Sequence, residues 1–581
     1  MTQSRKAAFA FALVALLLPG SASATNPADD AKTTTDTNAE LARLKAQLAA
    51  QEKQIEQLQD ALKAEMNLLD KVTAPAAPAA AATTAAGTDS TGASSSTTAA
   101  NPARTGTGSI ASTTPMVPPA PPAAVPPRIF PPAPQAAQPP ASPLQLQLGN
   151  ITITPIGFLD ATGVWRSKAA GSGIGSNFGS IPFDNAVPGG KLNEFRFSPQ
   201  NSRVGFRIDG NWKGLKFLNY LETDFLGTSG ANNIGITNGA FVPRIRLFWL
   251  DVRKGAWEFL GGQSWSMFTP NRKGISALPG DIFYGQEFDV NYLIGLPWTR
   301  QPGFRVLVHG AQDKVTFGLS AENPNQYAGG YGGGGTVQLP SALTGLLGTQ
   351  IDNGSTSPLS TPNPAPDFIA KLAFDPSSRA HLEVAGIQRT FKLFNTTTGQ
   401  PTSGQTFSKS GAGGAINGNV GVAKGIRLIS NNQFGDGIGR YFFGNAPDYV
   451  VRSDGSISPI HTFTTTDGIE ATIQNTLLYF YFGGIYIGKN VAVDANGSSL
   501  IGWGYTGAST GQNRSVNEYT FGINQTLWKS PAYGAVNVMF QYEYATRTPW
   551  YVAAGALDHA SDHTIYFDLR YTLPGAPPAV K

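Results

Sequence analysis

Two segments near the carboxyl terminus alternate strictly between apolar and polar residues. In residues 535–547 the apolar face carries Val536, Val538, Phe540, Tyr542 and Tyr544, and the other face carries Asn537, Met539, Gln541, Glu543 and Arg547. In residues 564–573 the apolar positions are Ile565, Phe567, Leu569, Tyr571 and Leu573, and they alternate with Thr564, Tyr566, Asp568, Arg570 and Thr572. A period of two predicts β-strands with one apolar face. Each run of about 10 to 13 residues could cross a bilayer as a tilted strand, so the apolar face points either to a sandwich core or to lipid.

Similar strands, about sixteen in number, recur between residues 146 and 573 and are separated by connections of two kinds. Short connections are predicted at 210–213, 254–255, 312–313, 376–378, 424 and 530–532, and long ones at 167–193, 227–241, 268–303, 322–366, 435–466, 490–515 and 549–563. Short turns at one rim and long loops at the other favour lipid over a sandwich core. The predicted fold class is an all-β transmembrane protein, an antiparallel outer-membrane β-barrel with both chain ends at the periplasmic rim.

One predicted turn is apolar throughout. It joins the predicted strands 467–479 and 480–489 and falls near Phe482, Gly483 and Gly484.

The chain before the barrel divides into four predicted segments. Residues 1–24 are a secretory signal peptide, and residues 25–38 are a flexible polar segment. Residues 39–71 are an α-helical coiled coil, whose main heptad seam consists of Leu41, Leu48, Ile55, Leu62 and Leu69. Residues 72–145 are a linker rich in Ala, Pro, Ser and Thr, which cannot bury a core. Residues 146–573 form the barrel, and residues 574–581 are a carboxyl-terminal extension.

Composition and charge indicate which kinds of molecule the protein contacts. The 581 residues include 67 glycines and 14% charged residues, which suits strands, long loops and a surface solvated by lipid. The formal charge is +4, and removal of Arg5 and Lys6 with the signal peptide lowers it to +2. The chain has no basic block, so no nucleic-acid partner is expected. It has no cysteine for a disulfide framework, and it would enter a membrane with strands.

Charged residues concentrate on the faces predicted to line the barrel. The predicted pore-lining residues are Arg203, Arg207, Glu222, Asp224, Arg244, Arg246, Arg305, Glu543 and Arg570. Sixteen strands leave an aqueous channel, and arginine presents a fork of donors that matches carboxylate or phosphate. Two interpretations stay open: the arginines select anionic solutes, or they pair with the acidic residues across the wall of a general pore.

The long connection at residues 268–300 follows the fifth predicted strand and is the candidate constriction loop. Its charged residues are Arg272, Lys273, Asp281, Glu287 and Asp289. Opposite charges across a narrow lumen would select solutes by charge and dipole. The alternative is an ordinary extracellular loop.

Candidate enzyme and metal motifs are weak. Glu222 and Asp224 are spaced as solvated lumen groups rather than as an acid/base pair, and His559 and His563 lack a cluster of further metal ligands. Gly262 to Ser266 lacks the last glycine of a hydrolase elbow. We therefore expect no catalytic residues, no metal and no cofactor.

The architecture, together with residues 202–206 (SRVGF), 262–266 (GQSWS) and 517–544, resembles that of trimeric porins of Gram-negative bacteria, and DcaP-like porins in particular. The resemblance implies an outer-membrane homotrimer, joined through barrel walls and coiled coil, for small hydrophilic solutes. It further implies a preference for anions such as dicarboxylates. One departure is the continuation through residues 574–581, because barrels of this kind end on an aromatic residue of the last strand.

A structural alternative uses the coiled coil differently. The barrel would tether the outer membrane through its periplasmic coiled coil, with cell-wall components as partners and conduction secondary. A third class, an outer-membrane enzyme, would require a clustered polar site at the loop rim, and the sequence offers none.

Overall fold

The computed structural model describes residues 142–170, 173–227, 241–283, 285–354, 361–397, 400–443 and 445–574. The predicted signal peptide, flexible segment and coiled coil, most of the linker, and residues 575–581 lie outside the described residues. No helix among the described residues is long and apolar enough to cross a membrane.

The described residues fold into a closed antiparallel β-barrel with sixteen wall strands. In chain order the strands are β1 (Leu146–Leu148), β2 (Ile151–Arg166), β3 (Glu194–Ser198), β4 (Arg203–Trp212), β5 (Leu215–Gly227), β6 (Val242–Lys254), β7 (Trp257–Trp265), β8 (Arg300–Gly310), β9 (Val315–Glu322), β10 (Asp367–Ser377), β11 (Ala380–Thr397), β12 (Gln400–Ala423), β13 (Ile426–Asp436), β14 (Tyr449–Val451), β15 (Ile457–Pro459), β16 (His461–Ile473), β17 (Thr476–Ile487), β18 (Asn490–Val493), β19 (Leu500–Trp503), β20 (Asn513–Ser530), β21 (Gly534–Pro549) and β22 (Ala560–Thr572). β3 and β4 are two parts of one wall strand, β1 lies beside the start of β2, and β14, β15, β18 and β19 form two small hairpins in loops.

Short helical turns occur in the loops. They are α1 (Thr344–Leu347) and the 3-10 turns Phe178–Ser180, Gly189–Lys191, Pro279–Asp281, Ser341–Leu343 and Gly439–Tyr441.

The barrel closes where its first and last strands pair. β2 pairs with β22 from Phe158 opposite Thr572 to Arg166 opposite Thr564. On its other edge β2 pairs with β4 and β3. This closure leaves no free sheet edge along the shared part of the wall.

The alternation that predicts the last two strands is present, and its apolar face points outward. Phe540 and Leu569 are 44% and 54% exposed, whereas their neighbours Gln541 and Asp568 are 0% and 2% exposed. A sandwich would bury the apolar face instead. The prediction of a barrel with an apolar exterior and a polar interior is confirmed.

The predicted turn at Phe482 to Gly484 is wrong. These residues lie inside β17, and the chain reverses at Gln474 and Asn475, where Gln474 has φ of 53°. The polar dipeptide forms the turn although it contains no glycine. The predicted strand 197–209 is also interrupted, because residues 199–202 leave the ladder between β3 and β4.

Described parts of several long loops pack against one another and are joined by backbone hydrogen bonds. The amide of Gly335 donates to the carbonyl of Gly511 at 2.8 Å, and that of Asp448 donates to Tyr327 at 2.9 Å. The Asn513 side chain donates to the carbonyl of Gly179 at 2.9 Å. Apolar loop residues such as Phe268, Phe178, Leu347, Tyr449 and Trp503 share one buried cluster. The interior is therefore a packed assembly of loops and wall side chains rather than an empty tube.

Candidate functional site

Residues 266–299, between β7 and β8, form a loop that crosses the barrel interior; we call it the inner loop. On one side Arg272 forms an ion pair of 2.6 Å with Glu470 of β16, which also accepts a hydrogen bond from the Tyr481 hydroxyl. Burial opposes the charge of Arg272, but the Glu470 carboxylate raises the pKa of the Arg272 guanidinium above its usual value. This ion pair ties the start of the inner loop to the opposite wall.

The later part of the inner loop is bound to the last strands. The Phe288 amide donates to Oε1 of Gln541 on β21 at 3.1 Å, and the Ile294 amide donates to Oε2 of Glu518 on β20 at 3.0 Å. Asp289 accepts a hydrogen bond of 2.7 Å from the Tyr566 hydroxyl on β22. Wall side chains thus satisfy backbone amides in the later part of the inner loop.

Two glycines explain how closely the inner loop approaches the wall. A Cβ atom on Gly483 would lie 2.3 Å from the carbonyl oxygen of Ile294, and one on Gly295 would lie 2.5 Å from the carbonyl oxygen of Gly484. Gly295 also has φ of +83°, a conformation that side chains disfavour. The Gly-Gly pair inside β17, which the sequence suggested as a turn, is the contact surface for the inner loop.

Four arginines and two acids meet on the wall formed by β4, β5, β6 and the start of β8. Arg246 donates to Glu222 at 2.7 Å and to Asp224 at 3.0 Å, and Arg244 donates to Asp224 at 2.8 Å. Arg203 lies 3.7 Å from Glu222. The structure therefore brings together five of the predicted pore-lining residues as ion pairs within the wall.

Arg300 completes this cluster and is absent from the predicted pore-lining set. Its guanidinium stacks on Trp265, 5.2 Å from the ring centroid, with Arg246 also over that ring at 5.6 Å. Nη1 of Arg300 is buried and has no hydrogen-bond partner among the described residues. We define the arginine cluster as Arg203, Arg244, Arg246 and Arg300 with Glu222 and Asp224, in which positive groups outnumber negative groups by two.

The remaining predicted pore-lining residues are spread around the interior. Arg207 pairs with Asp209 at 2.7 Å, and Arg305 lies 3.9 Å from Glu322. Arg570 pairs with Asp160 and Asp568, and one oxygen of Glu543 accepts a hydrogen bond from Gln541. All four predicted residues are buried on the inner face of the wall.

The predicted constriction residues fall into two groups. Lys273 and Asp281 line a cavity of about 550 Å³ at the short-turn rim, together with Arg207, His309 and Lys314. Arg272, Glu287 and Asp289 instead lie between the inner loop and the wall, and the last two are fully buried. Only the first group faces open space in this cavity.

No set of three or more His, Cys, Asp or Glu side chains among the described residues is placed to hold a metal ion. His559 pairs with Asp558 at 2.7 Å on the surface, and His563 contacts Tyr542 on the outer face. The two histidines do not form a shared site.

Sequence reasoning missed Glu470 and Glu518 as well as Arg300. Glu518 alternates with Tyr519 and Phe521, so the period of two in β20 contains the signal that it faces inward. Nothing in the local pattern shows that it binds the inner loop, because Ile294 is more than 200 residues away in the chain.

A sixteen-stranded barrel, with an inner loop after its fifth wall strand and charged side chains on its inner face, has the architecture of the porin class. Among solved structures, the outer membrane channel DcaP of Acinetobacter baumannii is similar, with a TM-score of 0.51 and 15% identity over 74% of this chain and 99% of DcaP. OmpF of Salmonella typhi matches 74% of this chain and 100% of its own at a TM-score of 0.40 and 9% identity. For OmpT of Vibrio cholerae the score is 0.38 at 10% identity, over 74% of this chain and 99% of OmpT. No protein-family model and no curated protein matches the sequence, and the likeness to DcaP is one of fold.

Proposed function

We propose that the chain forms an outer-membrane channel for passive diffusion of small hydrophilic solutes. The observation that carries this proposal is the inverted distribution of side chains, with apolar residues exposed on the outside of the barrel and charged residues inside it. An apolar exterior suits lipid, and a charged interior suits water and polar solutes. The fold shared with porin channels agrees with this assignment.

The orientation that we infer for the barrel in the membrane rests on the position of its first described residue, Ser142. The Ser142 hydroxyl donates to the carbonyl of Ala532 at 2.6 Å, in the short connection between β20 and β21. The preceding linker and coiled coil would therefore lie on the periplasmic side, where the coiled coil would join three copies. Contact between barrel walls would complete the homotrimer.

The arginine cluster supports a preference for anions. Its two acids neutralise half of its guanidinium charge, and buried Nη1 of Arg300 has no acceptor among the described residues. A carboxylate offers that acceptor with matching planar geometry. We infer that small carboxylates, including dicarboxylates, are the favoured solutes, while Arg207, Arg305 and Arg570 each lie beside acids of the wall.

Planar-bilayer recording of the purified protein tests both parts of the proposal. We expect open channels and a reversal potential in a salt gradient that indicates anion preference. Arg300→Gln should lower that preference, because it removes the least paired positive charge of the cluster. Arg196→Gln is the matched control, since Arg196 is a surface arginine already paired with Glu194 at 3.1 Å.

The outcomes distinguish channel formation from anion preference. Absence of channels contradicts the porin assignment. Channels whose reversal potential is equal in both variants leave a general pore and contradict the role of Arg300. The tethering alternative predicts that deletion of residues 39–71 loosens envelope attachment without changing conductance, so a loss of trimers alone would argue against it.

A further inference from the structure

Glu287 of the inner loop is a buried carboxylate without a partner. It is 0% exposed, and neither of its carboxylate oxygens has a hydrogen-bond partner among the described residues. A buried ionised carboxylate without a donor or cation is strongly destabilised. The structure around Glu287 must therefore either supply a cation or keep the side chain neutral.

The groups around Glu287 do not supply positive charge. Glu518 of β20 and Asp289 of the inner loop interact with it electrostatically, as do Glu543 of β21 and the Tyr479 hydroxyl of β17. Oε2 of Glu543 is likewise buried and unpartnered among the described residues. Three further carboxylates thus surround a carboxylate that lacks a donor.

Two arginines whose charges act on neighbours of Glu287, Arg166 on Asp289 and Arg570 on Tyr479, are paired with other carboxylates. Arg166 of β2 pairs with Glu194 at 2.9 Å and interacts with Asp289. Arg570 of β22 pairs with Asp160 and Asp568. Since no carboxylate group here is arranged for a metal ion among the described residues, the remaining way to neutralise Glu287 is a proton. Burial and the neighbouring carboxylates raise the pKa of Glu287 well above its usual range.

The protonated side chain has a mechanical role because its neighbours in the chain are the attachment points of the inner loop. The Gln286 amide donates a hydrogen bond of 3.0 Å to the Tyr481 hydroxyl, and the Phe288 amide donates one to Gln541. A negative charge placed on Glu287, between these two contacts, would be repelled by Glu518 and Glu543. We propose that Glu287 is a proton-controlled latch, which holds residues 286–294 against β20 and β21 when protonated and releases them when ionised.

The sign of the pH effect follows from linkage. The pKa of Glu287 is higher in the docked loop than the ordinary value of 4.5 that a released loop would show. Docking is therefore strongest at low pH and is lost as pH rises through the raised pKa. Between the two pKa values the released fraction should grow about tenfold for each pH unit.

Thiol labelling measures release directly, because the chain has no cysteine of its own. We would introduce Gln286→Cys in the full-length protein, alone and combined with Glu287→Gln, and measure labelling rates in detergent between pH 5 and 9. At each pH the labelling rate of the Gln286→Cys variant is divided by that of the variant that also carries Glu287→Gln. This ratio removes the effect of the titration of the thiol itself. We expect this ratio to rise with pH, and we expect Glu543→Gln, which removes one repelling group, to lower the ratio reached at high pH.

Three results would overturn the proposal. One is a ratio that stays constant with pH, and another is faster labelling in the Glu287→Gln background at high pH. The third is slower labelling on addition of Ca²⁺ or Mg²⁺ that a chelator reverses, since that would identify a metal ion as the neutralising group. The measurement does not depend on conduction, so its outcome is independent of the proposed channel function.

Discussion

Substitution of Gly483 by alanine should displace the inner loop from the wall. The added Cβ would lie 2.3 Å from the carbonyl oxygen of Ile294 and 2.8 Å from Cγ of Leu293, whereas ordinary contacts begin at 3.4 Å. The wall strand is held by ladders on both sides, from β16 and β20, so the loop must yield by about 1 Å.

The energetic cost has two parts. Overpacking of this kind costs about 1–3 kcal/mol. The adjacent hydrogen bond from the Ile294 amide to Glu518, 3.0 Å long, would stretch, and a typical hydrogen bond contributes about 0.5–1.5 kcal/mol. The loop should therefore dock less tightly by a few kcal/mol while the barrel wall stays intact.

Single-channel recording provides the assay. A loop pushed away from the wall enters the lumen, so G483A should show lower and noisier conductance than the wild type. Gly386→Ala is the matched control, because Gly386 is also a mid-strand glycine but its added Cβ would meet nothing nearer than 4.0 Å. Equal conductance in the two variants would refute the close approach of inner loop and wall as a determinant of the pore.

Two further changes test the wall itself. Glu222→Gln leaves Arg203 and Arg246 without their shared carboxylate and should lower the free energy of unfolding in urea by about 3–5 kcal/mol. The control is Asp313→Asn at the more exposed pair with Arg253, which should lower it by about 0–1 kcal/mol. Similar losses in both variants would mean that the buried ion pairs contribute no more to stability than the exposed one. Gln474→Val should destabilise the turn between β16 and β17 by about 1 kcal/mol or more, because φ of 53° is costly for a branched side chain. Gln474→Asn should be tolerated. A higher unfolding temperature for the Val variant than for the Asn variant would contradict the turn assignment.

The wall was predictable because side-chain alternation is a local property. The bounds of β2 agree with the predicted strand 151–166, and the two-faced character of β21 and β22 follows from their residues alone. The turn at Gln474 was not predictable from glycine content, since Gly483 and Gly484 serve contact with the inner loop instead. A glycine that permits close packing and a glycine that permits chain reversal look the same in a single sequence.

The interior was less predictable because it depends on pairs far apart in the chain. Period two placed Arg246 and Glu222 on inward faces, but not the distance of 2.7 Å between them. The charges of the inner loop could be recognised, whereas their division between the cavity (Lys273 and Asp281) and the wall (Glu287 and Asp289) required the fold. Arg300 escaped notice because it begins a strand in a segment interpreted as loop.

The attachment of the inner loop to the last strands has a consequence for the order of assembly. Its partners Glu518, Gln541 and Tyr566 lie in β20, β21 and β22, and β22 is also the strand that closes the barrel against β2. A chain that has not yet placed its final hairpin therefore lacks both the seam and two of the sites that bind the inner loop, Gln541 and Tyr566. The inner loop can complete its contacts only once the closing hairpin is in place, so a partly assembled barrel would have neither a sealed wall nor a fully anchored inner loop.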